Sequence, residues 1–519
     1  MRPPQTSFVC MRCRFRPAQT RFFHASIQRR SNSNNPNLTT AATAAEPVSG
    51  RPTTAPRPSI DIKHIRQNPT LYEQNCIERN YKAQSAYPAQ INLLHQQWQE
   101  HQRDARHLRE RSNLLRKQIA NSASTTGDED PATERLRSMS KEELLAEAKQ
   151  LKEKLSTIEQ AEDRLTREIE DMALAVPNLT SDSTPRGDEA LVLSYINDHP
   201  EPVPSESDRV WRSHVHIGSE LGLLDFAGAA TSTGWGWYYL LDQGARLEQA
   251  LIQFALAVAT RHGWRQVTPP SIVYGHIAAA CGFQPRDQHG ETQIYNLAQS
   301  AADRDRGKPE LVLAGTAEIP LAGMKADTLL EESELPLKRV GVSRCYRAEA
   351  GARGADTKGL YRVHEFNKVE LFAWTEPNSS STTELFDEIV DIQTEILEML
   401  GLHCRILEMP STDLGASAAR KCDIEAFFPS RRQKNEGWGE VTSASICTDY
   451  QTRRLATRVK TDGKMTFPWT VNGTALAVPR VLAAILENGW DEGEMHVKLP
   501  ECLWELMGTD VIGMKHRIK

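Results

Sequence analysis

The chain has 519 residues, a formal net charge of −6 and 39% hydrophobic residues, enough for two or three domains with buried cores. The net acidity excludes a protein that holds nucleic acid by bulk charge, so any RNA contact has to come from a local basic patch. No apolar run approaches the ~18 residues of a membrane-spanning helix, so no membrane partner is expected.

In chain order, the first stretch is foreign to the rest. No acidic residue precedes Glu46, while Arg2, Arg12, Arg14, Arg16, Arg21, Arg29 and Arg30 alternate with Phe8, Phe15, Phe22, Phe23 and several Ser and Thr. This is the composition of a mitochondrial transit peptide, expected over residues 1–35, and it implies a protein of the mitochondrial matrix. Cys10 and Cys13 form a CxxC with no second pair at ligand spacing, and the other seven cysteines are scattered singly. They are expected as thiols in a reducing compartment, neither a zinc site nor a disulfide framework. Residues 36–59, rich in Asn, Thr, Ala and Pro, read as a disordered linker.

Order is expected from Ile60. Ile91, Leu94, Trp98, His101, Ala105, Leu108, Ser112, Leu115 and Ile119 follow a 3,4 spacing, and Leu144, Ala148, Leu151, Leu155, Ile158, Glu162, Leu165, Ile169 and Met172 do the same after a polar connection. At ~1.5 Å per residue these are two helices of about 45 Å, folded back as an antiparallel coiled-coil hairpin in a domain over residues 60–175. Such a hairpin is most often structural or dimerising. Here Arg103, Arg106, Arg109, Arg111, Arg116 and Lys117 gather towards the tip half of the first helix, where cations can neutralise RNA phosphates. Residues 176–220 read as a proline-punctuated connector, and a second, larger domain is expected over residues 221–519. Arg246 to His262 reads as an amphipathic helix, and Trp264 to Pro270 as a strand ended by two prolines.

The stretch that organises the rest is VGVSRCYRAEAGARGADTKGLYRVHEFNKVELF, from Val340 to Phe372. Its β-prone runs around Val342–Tyr346 and Val363–Phe372 flank a Gly-, Ala- and charge-rich loop, the pattern of an antiparallel hairpin. Arg347, Glu349, Arg362, His364 and Glu370 lie on or beside those strands. Unpaired charge is costly to bury, so side chains of this kind either face a ligand or line a solvated edge.

The run RAEAGARGADTKGLYRVHEFNKVE resembles the motif-2 strand, loop and strand of the seryl-tRNA synthetase family, among the class II aminoacyl-tRNA synthetases. Three further blocks follow that family's order: Thr316-Ala317-Glu318, then GEVTSASICTDYQTRR from Gly439 to Arg454, and VNGTALAVPRVLAAILENG from Val471 to Gly489. The resemblance covers nearly everything from Ile60 to Lys519. It implies an α+β class II core around an antiparallel sheet with an N-terminal long antiparallel α-helical hairpin, working as a homodimer through the motif-1 helix and strand.

The activity implied is ATP-dependent activation of L-serine to seryl-adenylate and transfer to the 3′ end of tRNA(Ser), with ATP as substrate and Mg²⁺ as cofactor. Arg347, Arg480 and Glu440 match the catalytic positions. Arg347, Ala348, Glu349, Val363, Phe366, Glu440, Val441, Thr442, Ser443 and Arg480 match the ATP-contacting ones, with Glu440 and Ser443 holding the metal. Thr316, Ala317, Glu318, Arg347, Glu370 and Thr474 match the serine-binding ones. In this family the arm lies on the tRNA, a shape-reading task suited to a stiff rod. Two departures stand out: Gly234-Trp235-Gly236-Trp237 replaces the usual Gly-Ser-Arg-Phe, and Pro479 precedes Arg480 inside the run Ala475 to Glu487, which reads as a helix after an Asn472-Gly473 turn, so that helix is expected to begin later than the run suggests. The alternative is a catalytically silent member that uses its arm for RNA binding or scaffolding. That reading expects loss of Arg347, Glu440 or Arg480, and all three are present.

Overall fold

A helical arm and a sheet-based core make up the computed structural model, which describes residues 55–120, 139–198, 212–283, 293–349, 359–432, 434–461 and 463–513. The expected transit peptide, Cys10 and Cys13, most of the expected linker, the turn of the arm and the tip of the motif-2 loop lie outside these residues.

The arm consists of α1 (Tyr87–Ala120) and α2 (Lys141–Ala175), 34 and 35 residues long, or about 50 Å each. Ser140 caps α2 in a reciprocal box with Glu143. Every residue of both 3,4 series is buried or half-buried. The pairing is antiparallel: near the root Ile91 packs with Ile169 and Ala173, and towards the tip Leu115 packs with Leu144 and Leu151. At the root, Asn178 donates from Nδ2 to Ser417 O (2.8 Å) and Cys447 O (2.9 Å) of the core. Arg454 of the core donates to Leu174 O (3.1 Å) and Val176 O (3.3 Å). These bonds cap the end of α2 and join it to the core within one compact unit, Arg51–Lys519.

Among the described residues the core holds an eight-stranded sheet built from β1 (Leu191–Ile196), β2 (Arg265–Val267), β3 (Leu337–Tyr346), β4 (Glu365–Thr375), β5 (Cys404–Glu408), β6 (Arg420–Phe427), β7 (Trp438–Thr448) and β8 (Trp469–Ala477). The spatial order is β1-β5-β6-β7-β8-β4-β3-β2. Every pairing is antiparallel except that of β2 with β3. On β4, alternation sends Val369, Leu371 and Ala373 to one face and Lys368, Glu370, Phe372 and Trp374 to the other. The first face packs under α4 (Asp242–Arg261), α5 (Ser379–Met399) and α6 (Val478–Gly489), with Leu251, Ile389, Ile392 and Leu482 in the shared core. The second face carries the polar residues. A further helix, α3 (His214–Glu220), packs beside α6.

Two expectations change. The stretch expected as connector supplies β1, an edge strand of the sheet paired with β5 from Leu191↔Glu408 to Ile196↔Cys404. The helix of the Ala475–Glu487 run begins at Val478, the later start expected from Pro479. Residues up to Ala477 remain in β8, pairing as Leu476↔Val369 and Ala477↔Lys368, and Pro479 falls in the first helical turn, where its missing N–H is not needed. Asn472 and Gly473 lie inside β8, not in a turn.

Candidate active site

At the end of β3 the chain runs into Arg347. Its backbone N–H donates to His364 O (2.9 Å), and His364 returns a bond from Nδ1 to Arg347 O (2.9 Å). The Arg347 guanidinium lies 5.3 Å from the centre of the Phe366 ring. Ala348 N–H donates to Gln293 O (3.1 Å), Glu349 pairs with Arg362 (3.0 Å), and Val363 is buried. The Gly234–Trp237 departure belongs here as well: Trp235 and Trp237 pack on His364, each with ring centres 5.8 Å away. Gly236 has a positive φ of 84°, and a Cβ there would strike the His364 ring, so the two Trp need a Gly between them to close on it.

Opposite lies Arg480, on α6. It donates from Nε to Tyr361 O (3.1 Å) and from its terminal nitrogen to Glu440 O (3.0 Å), with the Glu440 carboxylate 3.3 Å away. Glu440 and Ser443 are three positions apart, so an ideal strand would put them on opposite faces. A bulge resolves this: Glu440 pairs with Glu425 and Ser443 with Asp423, so Val441 and Thr442 together oppose one step of β6 and both polar groups share one face. Val441 therefore sits in the apolar core, and Thr442 gives its hydroxyl to Thr474 O, so neither side chain faces the pocket.

Charge tunes this corner. Burial alone would raise the Glu440 carboxyl, but Arg480, Lys421 and Arg347 outweigh it and hold the group down to about 2. Glu440 is thus held as the anion near neutral pH. Lys421 bridges to Asp423 (2.8 Å), whose other oxygen, Oδ1, is buried without a hydrogen-bond partner. No group of three or more His, Cys, Asp or Glu suited to a metal occurs among the described residues. Even so, a half-exposed carboxylate, a hydroxyl and an unpartnered carboxylate oxygen on one face fit Mg²⁺, which keeps several waters and is completed by substrate phosphates.

Further along the face is a buried polar cluster. Thr316, Ala317 and Glu318 lead into the short helix Glu318–Gly323 and are 2%, 0% and 8% exposed. Glu370 accepts from Thr474 Oγ1 (3.2 Å) and pairs with Lys368 (2.7 Å). Glu318 accepts from Gln451 Nε2 (2.6 Å), and Gln451 in turn accepts from Thr470 (2.7 Å). Burial and then the nearby Glu370 push the Glu318 carboxyl up to about 7.

Lys368, Lys421, Asp423, Tyr361 and Gln451 were not among the residues singled out from the sequence. Lys368 had a signal, since it stands two positions before Glu370 on a strand and must share its face. Gln451 had none, because only the fold brings it to Glu318.

On the arm, the six cations divide. Arg111 makes two hydrogen bonds to Glu147 (2.8 and 3.3 Å), and Arg109 reaches Glu159 (3.6 Å) and Glu162 (3.9 Å), so both tie α1 to α2. Arg103, Arg106, Arg116 and Lys117 are exposed.

A model of the seryl-tRNA synthetase N-terminal domain matches residues 60–180, and one of the tRNA synthetase class II core domain (G, H, P, S and T) matches residues 295–489. The chain is 44% identical over 369 residues to the mitochondrial serine–tRNA ligase of Saccharomyces cerevisiae, covering 70% of this chain and 78% of that protein. It is 39% identical over 446 residues to the mitochondrial serine–tRNA ligase of Schizosaccharomyces pombe, covering 86% and 87%. Among solved structures it is similar to the seryl-tRNA synthetase from Pyrococcus horikoshii complexed with ATP, at 31% identity and a TM-score of 0.74, over 88% of this chain and 99% of that one. Relatives of this identity span arm and core alike, and the chain belongs to the seryl-tRNA synthetase family.

Proposed function

We propose that this chain is a serine–tRNA ligase that charges tRNA(Ser) in the mitochondrial matrix. The observation that carries the reading is the polar sheet face, where Glu440 meets Arg480 from the first turn of α6 beside Arg347, and where Glu318, Glu370 and Thr474 form a buried polar cluster. In the first step a serine carboxylate oxygen attacks the α-phosphorus of ATP and pyrophosphate leaves. In the second, a hydroxyl at the tRNA 3′ end attacks the acyl carbon and AMP leaves. The protein has to hold anions in line and balance charge on the phosphoryl oxygens, which is work for preorganised cations. Arg347 serves the reacting phosphate and the serine carboxylate, and Arg480 the distal phosphates. Phe366 and Val363 wall the adenine. Mg²⁺, held by Glu440 and Ser443, would neutralise phosphate charge.

Charge counting supports a division of labour in the serine pocket. Glu370 is already paired with Lys368 and hydrogen-bonded by Thr474, whereas Glu318 feels Lys368 and Arg347 only at a distance and takes its side-chain hydrogen bond from the neutral Gln451. The serine ammonium would give Glu318 a direct ion pair, and the serine hydroxyl falls to Glu370 and Thr474. A site built to pair that hydroxyl rejects alanine, which leaves it unpaired. The arm and its exposed cations support binding to the tRNA backbone. Exposed Tyr239, Leu241, Ile272 and Tyr274 flank the α4–β2 unit in the chain and support a homodimer formed there. The acid-free N-terminal stretch and the mitochondrial relatives support the compartment.

The test is serine-dependent ATP–pyrophosphate exchange on the purified protein. Exchange with serine and none with alanine is expected; no exchange with serine overturns the reading. Arg347→Ala should lower that exchange by about 100-fold in a folded protein, the usual worth of a preorganised charge on the reacting group.

A further inference from the structure

One buried polar cluster near the nucleotide end belongs to none of the groups assigned above. His214, on α3, is 6% exposed, and Glu487, on α6, is 1% exposed. Glu487 Oε1 accepts from His214 Nδ1 (2.7 Å), from the His214 backbone N–H (3.0 Å) and from Ser430 Oγ (2.9 Å), while its Oε2 accepts from Ser430 N–H (3.1 Å). With Nδ1 donating to the carboxylate, Nε2 is free to accept, and it accepts from the backbone N–H of Leu360 (3.0 Å). Leu360 is fully buried, so that amide has no water to turn to. The fit is tight: Gly359 has a positive φ of 85°, and a Cβ added there would lie 2.3 Å from His214 Nε2.

Leu360 begins the leg by which the motif-2 loop returns to β4. The next residue, Tyr361, accepts at its carbonyl from Arg480 and lies under its guanidinium, 4.8 Å from the ring centre. Arg480 and Glu487 are seven positions apart on α6, two turns along one stripe. One helix thus grips consecutive residues of this leg, Tyr361 directly and Leu360 through His214.

We propose that His214 is a positioning residue for ATP binding: oriented by Glu487, it pins Leu360 so that Tyr361, Val363 and Arg480 keep the geometry that receives the nucleotide. The proposal rests on the placement of ATP given above. The experiment is ATP–pyrophosphate exchange on the full-length protein with ATP and serine varied separately, comparing wild type, His214→Ala, His214→Gln and Arg480→Ala. His214→Ala leaves a buried amide unpaired, so KM for ATP should rise about tenfold with KM for serine changed less than twofold. His214→Gln, whose side-chain oxygen reaches the place of Nε2, should restore KM for ATP to within about threefold of wild type. A folded His214→Ala protein with unchanged KM for ATP, or with both KM values raised alike, overturns the proposal. If Arg480→Ala leaves KM for ATP unchanged, the placement of ATP itself fails. If Arg480→Ala raises it and His214→Ala does not, only the role of His214 fails. Should the alanine protein not fold, amide hydrogen exchange on the wild type decides: slow exchange at Leu360 is expected, and fast exchange overturns the proposal.

Discussion

On the sheet, the side chains of Lys368, Glu370 and Asp423 are at most 8% exposed, whereas on the arm Arg103 keeps 72% of its side chain in solvent. The same kinds of residue therefore do different work. A buried charge is held in place by neighbours and acts through a low dielectric, so each one matters and each is costly to leave unpaired. An exposed arm charge is screened and worth little within the protein, and acquires its value only against a phosphate, as one of several. The arm also contains the exception, because Arg111 and Arg109 face α2 and hold the rod together. On the proposed function, catalysis depends on a few fixed charges, and tRNA binding on the number of exposed ones.

The largest expected effect separates the two regions outright. Replacing Arg103 to Gln160 by a short Gly/Ser linker removes all six arm cations but spares the root cluster of Ile65, Ile91, Ile169 and Ala173. Pyrophosphate exchange should persist, and aminoacylation at physiological salt should fall roughly a thousandfold, the scale carried by several phosphate contacts. Equal loss in both assays would mean that the arm shapes the active site.

Next in size is a change on the sheet. Lys368→Met leaves Glu370 buried without its cation, which should cost about 3 kcal/mol of stability in denaturant unfolding and raise KM for serine at least about tenfold. A protein of normal stability and normal KM would show that the Lys368–Glu370 pair is dispensable.

The pH dependence is smaller and has a definite sign. Glu318 is raised to about 7, above the ordinary carboxyl value of ~4.3, so its contribution to the stability of the empty enzyme is complete below ~4.3 and is lost as pH rises through about 7. On the proposed placement of the ammonium, serine needs the anion. KM for serine should therefore fall between pH 6 and 8, by at most about tenfold per unit below 7. Glu318→Gln should flatten the profile and bind serine weakly throughout, and an unchanged slope in that variant would remove Glu318 from the account. Glu440, held down to about 2, adds nothing to the profile in that range.

Smallest is the effect of single arm cations. Arg106→Gln or Arg116→Gln should weaken tRNA binding a few-fold and reduce the slope of log affinity against log salt by about 1. Arg111→Gln should instead lower the melting temperature of the arm by circular dichroism, with a lesser change in salt slope. The reverse pattern would show that Arg111 faces the RNA.

Much of this was legible along the chain, and what was not has a local cause. The 3,4 series marked both arm helices because helix periodicity is local, and Lys368 could be placed beside Glu370 by strand alternation alone. Strand β1 was missed because its burial depends on a partner, β5, more than 200 residues away, and five of its six residues, Leu191 to Tyr195, remain exposed on an edge. Pro479 signalled a delayed start for α6, but not how far, because nothing local says that Ala475 to Ala477 complete a ladder with β4.

The sequence by itself determined the class II motif order, the heptads of the arm and the identity of the charged groups, since each is a matter of which residue stands where along the chain. Only the tertiary structure decided what each charge does. The β7 bulge brings Glu440 and Ser443 to one face, Arg111 spends its charge on Glu147, and Glu318 meets a neutral Gln451 where Glu370 meets a lysine. Electrostatic roles follow distance and desolvation, and residues such as Glu318 and Gln451, more than 100 positions apart, acquire both only when the chain folds.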